Sequence, residues 1–424
     1  MNAESKWNYA LISILIGTIT TVSFLSVQNV LGESLNENTP VYVGVAFQGN
    51  TTTEAEHLID RVKDYTNLFV IGSSPVSRNE TMITEVCDYA VAAGLHIIVN
   101  FGYYDPYVTS AEEAFRRWPW QHSWVEAAES RYANRFLGVY YDDEPGGITL
   151  DWNWEQFFAN YSSYLSNGGE STLHKIYAKI AEATASGTKP NDYNLEATYF
   201  AELLAATFRV SSTDTPEVRT FTSDYALYWF DYLGGYDVLL AQLGWNHTIA
   251  QDIALIRGAA RLQGKQWGAI ITWKYDEPPY LDNGREIYKQ IVEAYQSGAT
   301  YLMIFNYPTL EGNAYGVMQK EHFWALQQFW KKVLHSNART VFDYRKADVA
   351  LILPTNYGWG MRNLDDKIWG MWGADEKSPQ IWEISRKLIS KYGLRLDIVY
   401  DNAEFPAEGK YCKLYYWNET YSNL

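Results

Sequence analysis

The feature that most constrains the fold of this chain is an alternation of strand-like and helix-like segments that repeats eight times. Short runs of β-branched, aromatic and other apolar residues predict buried strands, and the amphipathic segments between them predict helices. The predicted strands cover residues 41–47, 68–72, 96–101, 136–141, 218–222, 238–243, 267–273 and 301–305. Eight successive β-then-α units predict an α/β fold, a (β/α)8 TIM barrel. A doubly wound open sheet is the alternative, but no Gly-x-Gly-x-x-Gly motif follows any of these strands.

Two local predictions within this pattern depend on a few residues. The run at residues 225–233 could be the fifth strand, yet Gly234, Gly235 and a new strand follow it too closely. We therefore predict a short helix there. Thr53 and Glu56 have the spacing of a capping box and predict the start of the first helix.

The composition along the chain predicts three parts. We assign residues 1–37 to a signal peptide or signal anchor, residues 38–340 to the barrel, and residues 345–424 to a small α/β appendage. Two aromatic-rich insertions, residues 106–133 and 146–215, leave the carboxyl ends of strands, where barrel enzymes build their sites. Such loops are typical of the walls of a cleft, and ordinary packing of a subdomain is the alternative.

The N-terminal segment indicates export. After Lys6 no charge interrupts an apolar run until Glu33, which is long for a signal peptide and just long enough to span a bilayer. A cleaved signal peptide and an uncleaved anchor that tethers the chain to the membrane both remain open. Sequons for N-glycosylation agree with an extracellular or cell-surface glycoprotein. They stand at Asn50, Asn79, Asn160, Asn246 and Asn418. A helix cap is the alternative role of Asn79.

The charge and the residue types restrict the partners. The chain has 34 basic and 50 acidic residues, a net charge of −16, and no block of Lys and Arg, so a nucleic-acid partner is not expected. Aromatic residues make up 16% of the chain and suit sugar-binding surfaces as well as cores. No His cluster, paired-cysteine site or dinucleotide motif predicts a cofactor. The oligomeric state stays open.

Three adjacent carboxylates follow the fourth predicted strand: Asp142, Asp143 and Glu144. The alternation of a strand predicts Asp142 and Glu144 on one side and Asp143 on the other. Carboxylates held close together have pKa values that are pushed apart, which leaves one protonated and one ionised. Glycoside hydrolysis requires this division of roles. Binding of Mg²⁺ or Ca²⁺ by the triplet is an alternative.

The tripeptide Asp-Glu-Pro occurs twice, at residues 143–145 and 276–278, after the fourth and seventh predicted strands. In this respect the chain resembles the (β/α)8 glycoside hydrolase superfamily, whose largest retaining clan has an acid/base glutamate in Asn-Glu-Pro after strand four and a nucleophile glutamate after strand seven. The resemblance implies that Glu144 is the acid/base and Glu277 the nucleophile, with retention of configuration. Asp143 stands where the clan has asparagine.

A second resemblance competes with the first. Chitinase-like barrels carry Asp-x-Asp-x-Glu on strand four, and the acetamido group of their substrate is the nucleophile. Asp142 and Glu144 match the last part of that motif, while Tyr140 replaces its first aspartate. This resemblance implies a supporting role for Asp142 next to the acid Glu144.

Further polar and aromatic residues at strand ends or in the insertions are candidates for substrate binding, although Asp224 could instead cap a helix. They are Tyr103, Tyr104, Asp105, Trp118, Trp152, Asp224, Gln242, Trp245, Trp273 and Asn306, with Gln48 as another strand-end residue. The sequence thus predicts an exported, glycoside hydrolase-like protein that cleaves or processes glycans. The alternative is a non-catalytic carbohydrate-binding or cell-surface protein on a hydrolase-like barrel, because fold alone does not determine function.

Overall fold

A closed barrel of eight parallel strands forms the centre of the computed structural model, which describes residues 40–101, 120–154, 172–211, 218–245, 248–335 and 344–420. Each strand pairs with the next one along the chain, and the last pairs with the first. In order they are β1 (Tyr42–Phe47), β2 (Leu68–Ile71), β3 (His96–Asn100), β4 (Phe136–Tyr140), β5 (Thr220–Asp224), β6 (Val238–Leu243), β7 (Gln266–Ile271) and β8 (Tyr301–Asn306). The prediction of a TIM barrel is confirmed.

Helices connect the strands and cover the outside of the barrel. They are α1 (Thr52–Val62), α2 (Ser74–Ser77), α3 (Glu80–Ala92), α4 (Trp120–Tyr132), α5 (Pro145–Asp151), α6 (Thr172–Ser186), α7 (Asn194–Ser211), α8 (Tyr228–Gly234), α9 (Ile249–Gln263), α10 (Gly284–Gln296) and α11 (Lys320–Phe329). A π-helical segment, Trp330–Leu334, continues α11.

Side chains fill the interior of the barrel, so it is a packed core and not a channel. Alternate residues of the strands point inward and form one apolar cluster. The cluster includes Ala46, Val70, Ile98, Leu240, Ile270 and Met303. The other faces of the strands pack against the helices in a second, larger apolar cluster. The strands therefore have two buried faces, which explains why they appear in the sequence as continuous apolar runs.

Two of the local predictions differ from the structure by two residues. The fifth strand is Thr220–Asp224, two residues later than predicted, so Asp224 is its last residue. The capping box is formed by Thr51 and Glu54, not by Thr53 and Glu56. The Thr51 side chain accepts a hydrogen bond from the N–H of Glu54 (3.2 Å), and the Glu54 carboxylate accepts one from the N–H of Thr51 (3.0 Å).

A small sheet follows the barrel and confirms the α/β appendage. It contains β9 (Val349–Leu353), β10 (Leu396–Tyr400) and β11 (Lys413–Tyr416) in the parallel order β10-β9-β11, with α12 (Lys377–Tyr392) between β9 and β10. All of it belongs to the same compact unit as the barrel.

A buried ion pair joins the appendage to helix α9. The guanidinium of Arg257 donates a hydrogen bond of 2.7 Å to the carboxylate of Asp397 on β10, and both side chains are buried. The same guanidinium donates to the backbone carbonyls of Tyr344 and Leu396. The buried guanidinium of Arg257 thus has a carboxylate that balances its charge and acceptors for its N–H groups, which a buried charge requires.

Several predictions about export fall outside the described residues. The apolar N-terminal run and the sequons at Asn160 and Asn246 lie there. Within the described stretches, no helix has the length and apolar character needed to cross a membrane. Asn79 does cap α3, because its side chain accepts hydrogen bonds from the N–H groups of Thr81 and Met82.

Candidate functional site

A cavity of about 220 Å³ opens at the carboxyl ends of the barrel strands. Its floor is apolar and is formed by the upper layer of the barrel core: Ala46, Val70, Leu240, Ile270 and Met303. Its wall is polar and contains Gln48, Asn100, Asp143, Glu144, Ser223, Gln242 and Thr272. This is the face on which barrel enzymes place their active sites.

The backbone after β4 decides which carboxylates reach the cavity. The strand ends at Tyr140, and Asp142 and Glu144 both adopt left-handed conformations, with φ of 48° and 56°. Such angles are uncommon outside glycine and do not belong to a regular strand. The alternation expected for a strand is therefore lost, and Asp143 and Glu144 line the cavity together.

Asp142 lies away from the cavity, contrary to the predicted pairing with Glu144. Its side chain is buried, and its backbone carbonyl accepts a hydrogen bond from the hydroxyl of Thr222. Its Oδ2 has no hydrogen-bond partner among the described residues. Burial, together with the nearby charge of Asp143, raises the pKa of Asp142 to about 7.

Asp143 is attached to the barrel wall by two hydroxyl groups. Its Oδ1 accepts hydrogen bonds from the hydroxyl of Tyr140 and from Oγ of Ser223 (3.3 Å). The Tyr140 hydroxyl in turn accepts a hydrogen bond from the N–H of Ser223 (2.9 Å). Burial raises the pKa of Asp143, and the two hydroxyl donors act in the opposite direction.

Glu144 reaches across to the sixth strand. Its Oε1 accepts a hydrogen bond of 2.6 Å from the side-chain amide of Gln242, which also donates to Oγ of Ser223 (3.0 Å). Burial, and after it the charge of Asp143, raises the pKa of Glu144 to about 8. This shift favours the protonated form of Glu144, which is the form that can donate a proton.

Asp224 holds the segment that carries Glu144. Its carboxylate accepts hydrogen bonds from the N–H groups of Gly146 (2.6 Å) and Gly147 (2.9 Å), in the first turn of α5, and from those of Tyr225 and Ala226. Burial raises the pKa of Asp224 to about 7, against the effect of these four donors. Its observed contacts are to the backbone, which is a positioning role rather than the predicted binding of substrate.

The two glycines allow this close contact. A Cβ at residue 147 would lie 2.1 Å from the ring of Tyr225, and one at residue 146 would lie 2.7 Å from the carbonyl oxygen of Ala226. Neither distance is possible for a real side chain. The sequence Glu-Pro-Gly-Gly after β4 thus lets α5 begin directly against the end of β5.

Glu277 does not join Glu144 at the cavity. It is exposed, and its carbonyl accepts the N–H of Tyr280 (3.0 Å) in a turn beyond the end of β7. β7 contributes Ile270 to the cavity floor, and Thr272, directly after the strand, lines the wall. The pair of opposed glutamates expected for a retaining mechanism is therefore not assembled by the described residues.

Aromatic rings form the rim of the cavity. Trp273 and Tyr307 are stacked, with ring centroids 5.8 Å apart and planes 5° from parallel, and the indole N–H of Trp273 donates to the Tyr307 carbonyl. Trp245 packs beside Trp273 at 6.3 Å. Tyr307 leaves 46% of its surface exposed. Flat, partly exposed rings of this kind offer a surface on which a sugar ring can stack.

The structure brings some of the predicted binding residues to the cavity and not others. Gln242, Trp245 and Trp273 line it. Asn306 is buried, and its Oδ1 accepts the N–H of Val317, so it stabilises a loop. Trp152 packs against an apolar cluster with helices α6 and α7, which agrees with packing of a subdomain. The residues Tyr103, Tyr104, Asp105 and Trp118 lie outside the described residues.

Several residues that line the cavity were not predicted from the sequence. Asn100, Ser223 and Thr272 lie at or directly next to the ends of their strands, and Tyr307 follows β8. Position at the carboxyl end of a strand was the signal that could have found them. All four are neutral residues, and no sequence motif marks them beyond their position.

The described residues contain no group of three His, Cys, Asp or Glu side chains arranged to hold a metal ion. The triplet Asp142–Glu144 does not converge on one point, because Asp142 lies away from the cavity while the other two line it.

Comparison with known proteins identifies solved structures with a similar fold. No family model matches the chain, and no curated protein matches its sequence. Among solved structures, a GH5_18 protein from Streptomyces cattleya in complex with GlcNAc is similar over 89% of this chain and 98% of its own, with a TM-score of 0.52 and 11% identity. A beta-galactosidase from Bacillus circulans sp. alkalophilus is similar over 90% of this chain and 67% of its own, with a TM-score of 0.51 and 9% identity. The chain therefore has a glycoside hydrolase-like (β/α)8 barrel fold.

Proposed function

We propose that this protein is a glycoside hydrolase and that Glu144 donates the proton to the departing sugar oxygen. The observation that carries the proposal is the pair of carboxyl groups at the mouth of the barrel. Burial raises the pKa of Glu144 to about 8; burial also raises the pKa of Asp143 beside it, and the hydroxyl donors Tyr140 and Ser223 act in the opposite direction. Glycoside hydrolysis uses two carboxyl groups in one cavity, one that donates a proton and one that is ionised, and we assign the first role to Glu144.

The rest of the cavity supports a sugar ligand. Trp245, Trp273 and Tyr307 offer ring faces at the rim, and Asn100 and Gln242 bring amide groups that suit sugar hydroxyls. The solved structures of similar fold include a protein in complex with GlcNAc and a beta-galactosidase. As part of the proposal, we extend a carbohydrate ligand to this chain.

The repeated tripeptide offers a matched pair of variants to test the proposal. Glu144→Gln removes the proton donor and keeps the shape, while Glu277→Gln makes the same change in the exposed second Asp-Glu-Pro. We expect hydrolysis in a panel of oligosaccharides and aryl glycosides to fall about 10²-fold or more in Glu144→Gln. Glu277→Gln should match the wild type.

Two outcomes would contradict the proposal. If both variants are as active as the wild type, Glu144 is not the acid. If Glu277→Gln abolishes turnover while Glu144→Gln does not, the turn that carries Glu277 belongs to the active site and the assignment of Glu144 as the acid is wrong.

A non-catalytic carbohydrate-binding protein is the second candidate. It is favoured by one observation: among the described residues that line the cavity, no carboxylate faces Asp143 and Glu144 from β7, β8, β1 or β2. For this candidate, oligosaccharides should quench the tryptophan fluorescence without being cleaved. Trp273→Ala should then weaken binding by about 1–3 kcal/mol.

We also propose that the protein is exported, because its N-terminal apolar run and its sequons are typical of secreted or signal-anchored proteins. Cell fractionation tests this proposal. A soluble cytoplasmic pool that retains Met1 would contradict it.

A further inference from the structure

A second carboxyl group lies behind the carboxylate that holds α5. Asp231, in the middle of helix α8, is fully buried, and its side chain lies within hydrogen-bond reach of the Asp224 carboxyl group. Among the described residues, neither oxygen of Asp231 has another hydrogen-bond partner. Two buried carboxyl groups in contact do not both ionise, so one of them carries a proton.

The contacts of Asp224 place that proton on Asp231. Oδ1 of Asp224 accepts three backbone N–H groups, and Oδ2 accepts one, that of Gly146. An N–H group can only donate, so all four contacts favour the ionised form of Asp224. Because Oδ2 has a single N–H donor, it has a lone pair left for the hydroxyl of a protonated Asp231.

The surroundings of Asp231 also favour its protonated form. The titratable side chains near it include the phenols of Tyr228, Tyr232 and Tyr236, and burial raises the pKa of all three, so they stay neutral. Among the described residues, no cation acts on Asp231. Burial, followed by the charge of Asp224 and the hydrogen bond to it, raises the pKa of Asp231 well above its usual range.

We propose that Asp231 is a positioning residue: it stays protonated and donates its proton to Asp224, which keeps the Asp224 carboxylate directed at the first turn of α5. The contribution to catalysis rests on the proposed hydrolase function, because α5 begins directly after Glu144. The shared proton and the support of α5 do not depend on that function.

The effect on Glu144 passes through the backbone. Without the donor, the Asp224 carboxylate would lose one of the bonds that fix its orientation, and its hold on Gly146 and Gly147 would weaken. These glycines pack against β5 and the residues after it so closely that no Cβ fits there. A displacement of about 1 Å in a catalytic group can lower a rate on the order of 10²-fold.

Infrared spectroscopy tests the proton without any substrate. In the difference spectrum between the wild type and Asp231→Asn at neutral pH, we expect the carbonyl band of a protonated carboxyl group to be lost. Asp348→Asn is the control, because the hydrogen bond from Arg395 lowers the pKa of Asp348 and its spectrum should lose a carboxylate band. Loss of a carboxylate band in Asp231→Asn would overturn the inference.

Backbone hydrogen exchange tests the positioning. Asp231→Leu removes the donor, so the N–H groups of Gly146 and Gly147 should exchange about tenfold faster or more, with no change in α3. Asp231→Asn keeps an N–H donor and should match the wild type. Asp252→Leu is the control, because it removes another buried carboxyl group, on α9, and should leave exchange in α5 unchanged.

The outcomes separate this inference from the proposed function. Wild-type exchange of α5 in Asp231→Leu would refute the positioning role, as would an Asp231→Asn variant as impaired as Asp231→Leu. The infrared test needs only the Asn variant, so it decides the question even where Asp231→Leu does not fold. If glycosides are hydrolysed, kcat should fall about tenfold in Asp231→Leu at little changed KM and recover in Asp231→Asn. If no glycoside is hydrolysed but the infrared and exchange results are as expected, the proposed function fails and the support of α5 by Asp231 stands.

Discussion

At the scale of single residues, the backbone of Asp142 and Glu144 determines the chemistry of the site. Their positive φ angles turn the chain so that Asp143 and Glu144, neighbours in sequence, both reach the cavity. Strain of this kind costs on the order of 1–3 kcal/mol for each residue and is concentrated at functional sites. The segment is held in place by the hydrogen bond from the N–H of Glu144 to the carbonyl of Ser223 (3.0 Å).

The raised pKa of Glu144 predicts the alkaline limit of activity. The acid is competent only while protonated, so activity should be lost as the pH rises through the pKa of Glu144, about 8. Asp143 must be ionised, so activity should also fall at low pH, as the pH drops through its raised pKa. The measurement is kcat/KM against pH, for which we expect a bell-shaped curve. Activity that still rises above pH 9 would exclude Glu144 as the acid.

The sequence could identify Glu144 but not its partner. A glutamate followed by proline at the end of a strand is visible in the printed sequence. Whether Asp142 or Asp143 lines the cavity depends on the φ angles of Asp142 and Glu144. Those angles depend on contacts with β5, which is far away in sequence; one is the hydrogen bond that the hydroxyl of Thr222 donates to the carbonyl of Asp142. Local periodicity cannot report such contacts.

At the scale of elements, helix α5 positions Glu144, the proposed acid. The helix begins directly after Glu144, and its last residue, Asp151, accepts hydrogen bonds from the hydroxyl of Tyr225 (2.6 Å) and from Arg362 of the appendage (2.9 Å). Burial acts to raise the pKa of Asp151, but these two donors lower it below its ordinary value. Both ends of α5 are therefore held, the first turn by Asp224 and the last by Arg362.

Arg362→Met should loosen α5 and change the environment of Glu144. If the Glu144 carboxyl becomes more hydrated, its pKa should fall, because burial is the main cause of its rise. We expect the alkaline limb of the kcat/KM profile to move to lower pH and kcat to fall about tenfold. The control is Arg395→Met, which breaks an exposed ion pair with Asp348 in the same appendage. An unchanged pH profile in Arg362→Met would show that the contact is only structural.

The sequence predicted the elements better than it predicted their ends. Strands buried on both faces give long apolar runs, so all eight were found to within about two residues. The turn after β7 carries Glu277 into solvent, and the loop after β8 binds the side chain of Asn306. Loop geometry of this kind depends on tertiary contacts, so neither residue could be placed from its distance to a strand.

At the scale of the whole molecule, the appendage and the barrel belong to one compact unit. The carboxylate of Asp397 accepts hydrogen bonds from Arg257 on α9 and from the hydroxyl of Tyr411 (2.9 Å), and it is fully buried. Removing its charge would leave Arg257 as a buried cation without its partner. Breaking a buried ion pair in this way costs about 3–5 kcal/mol.

Asp397→Asn should therefore lower the free energy of unfolding by about 3–5 kcal/mol, as measured by denaturant titration. Asp348→Asn is the matched control, because its pair with Arg395 is exposed and should contribute about 1 kcal/mol or less. We expect the wild type to unfold in one transition. Two separate transitions, with only the smaller one sensitive to Asp397→Asn, would show that the appendage folds independently of the barrel.

The central claim is that Glu144 delivers a proton to the leaving group, and a comparison of leaving groups tests it most directly. The measurement is kcat/KM of the wild type and of Glu144→Gln on two aryl glycosides of one sugar, with a 4-methoxyphenyl and a 2,4-dinitrophenyl leaving group. Dinitrophenolate departs without protonation, so we expect the variant to lose about 10²-fold or more on the first substrate and almost nothing on the second. An equal loss on both would contradict the assignment of Glu144 as the acid.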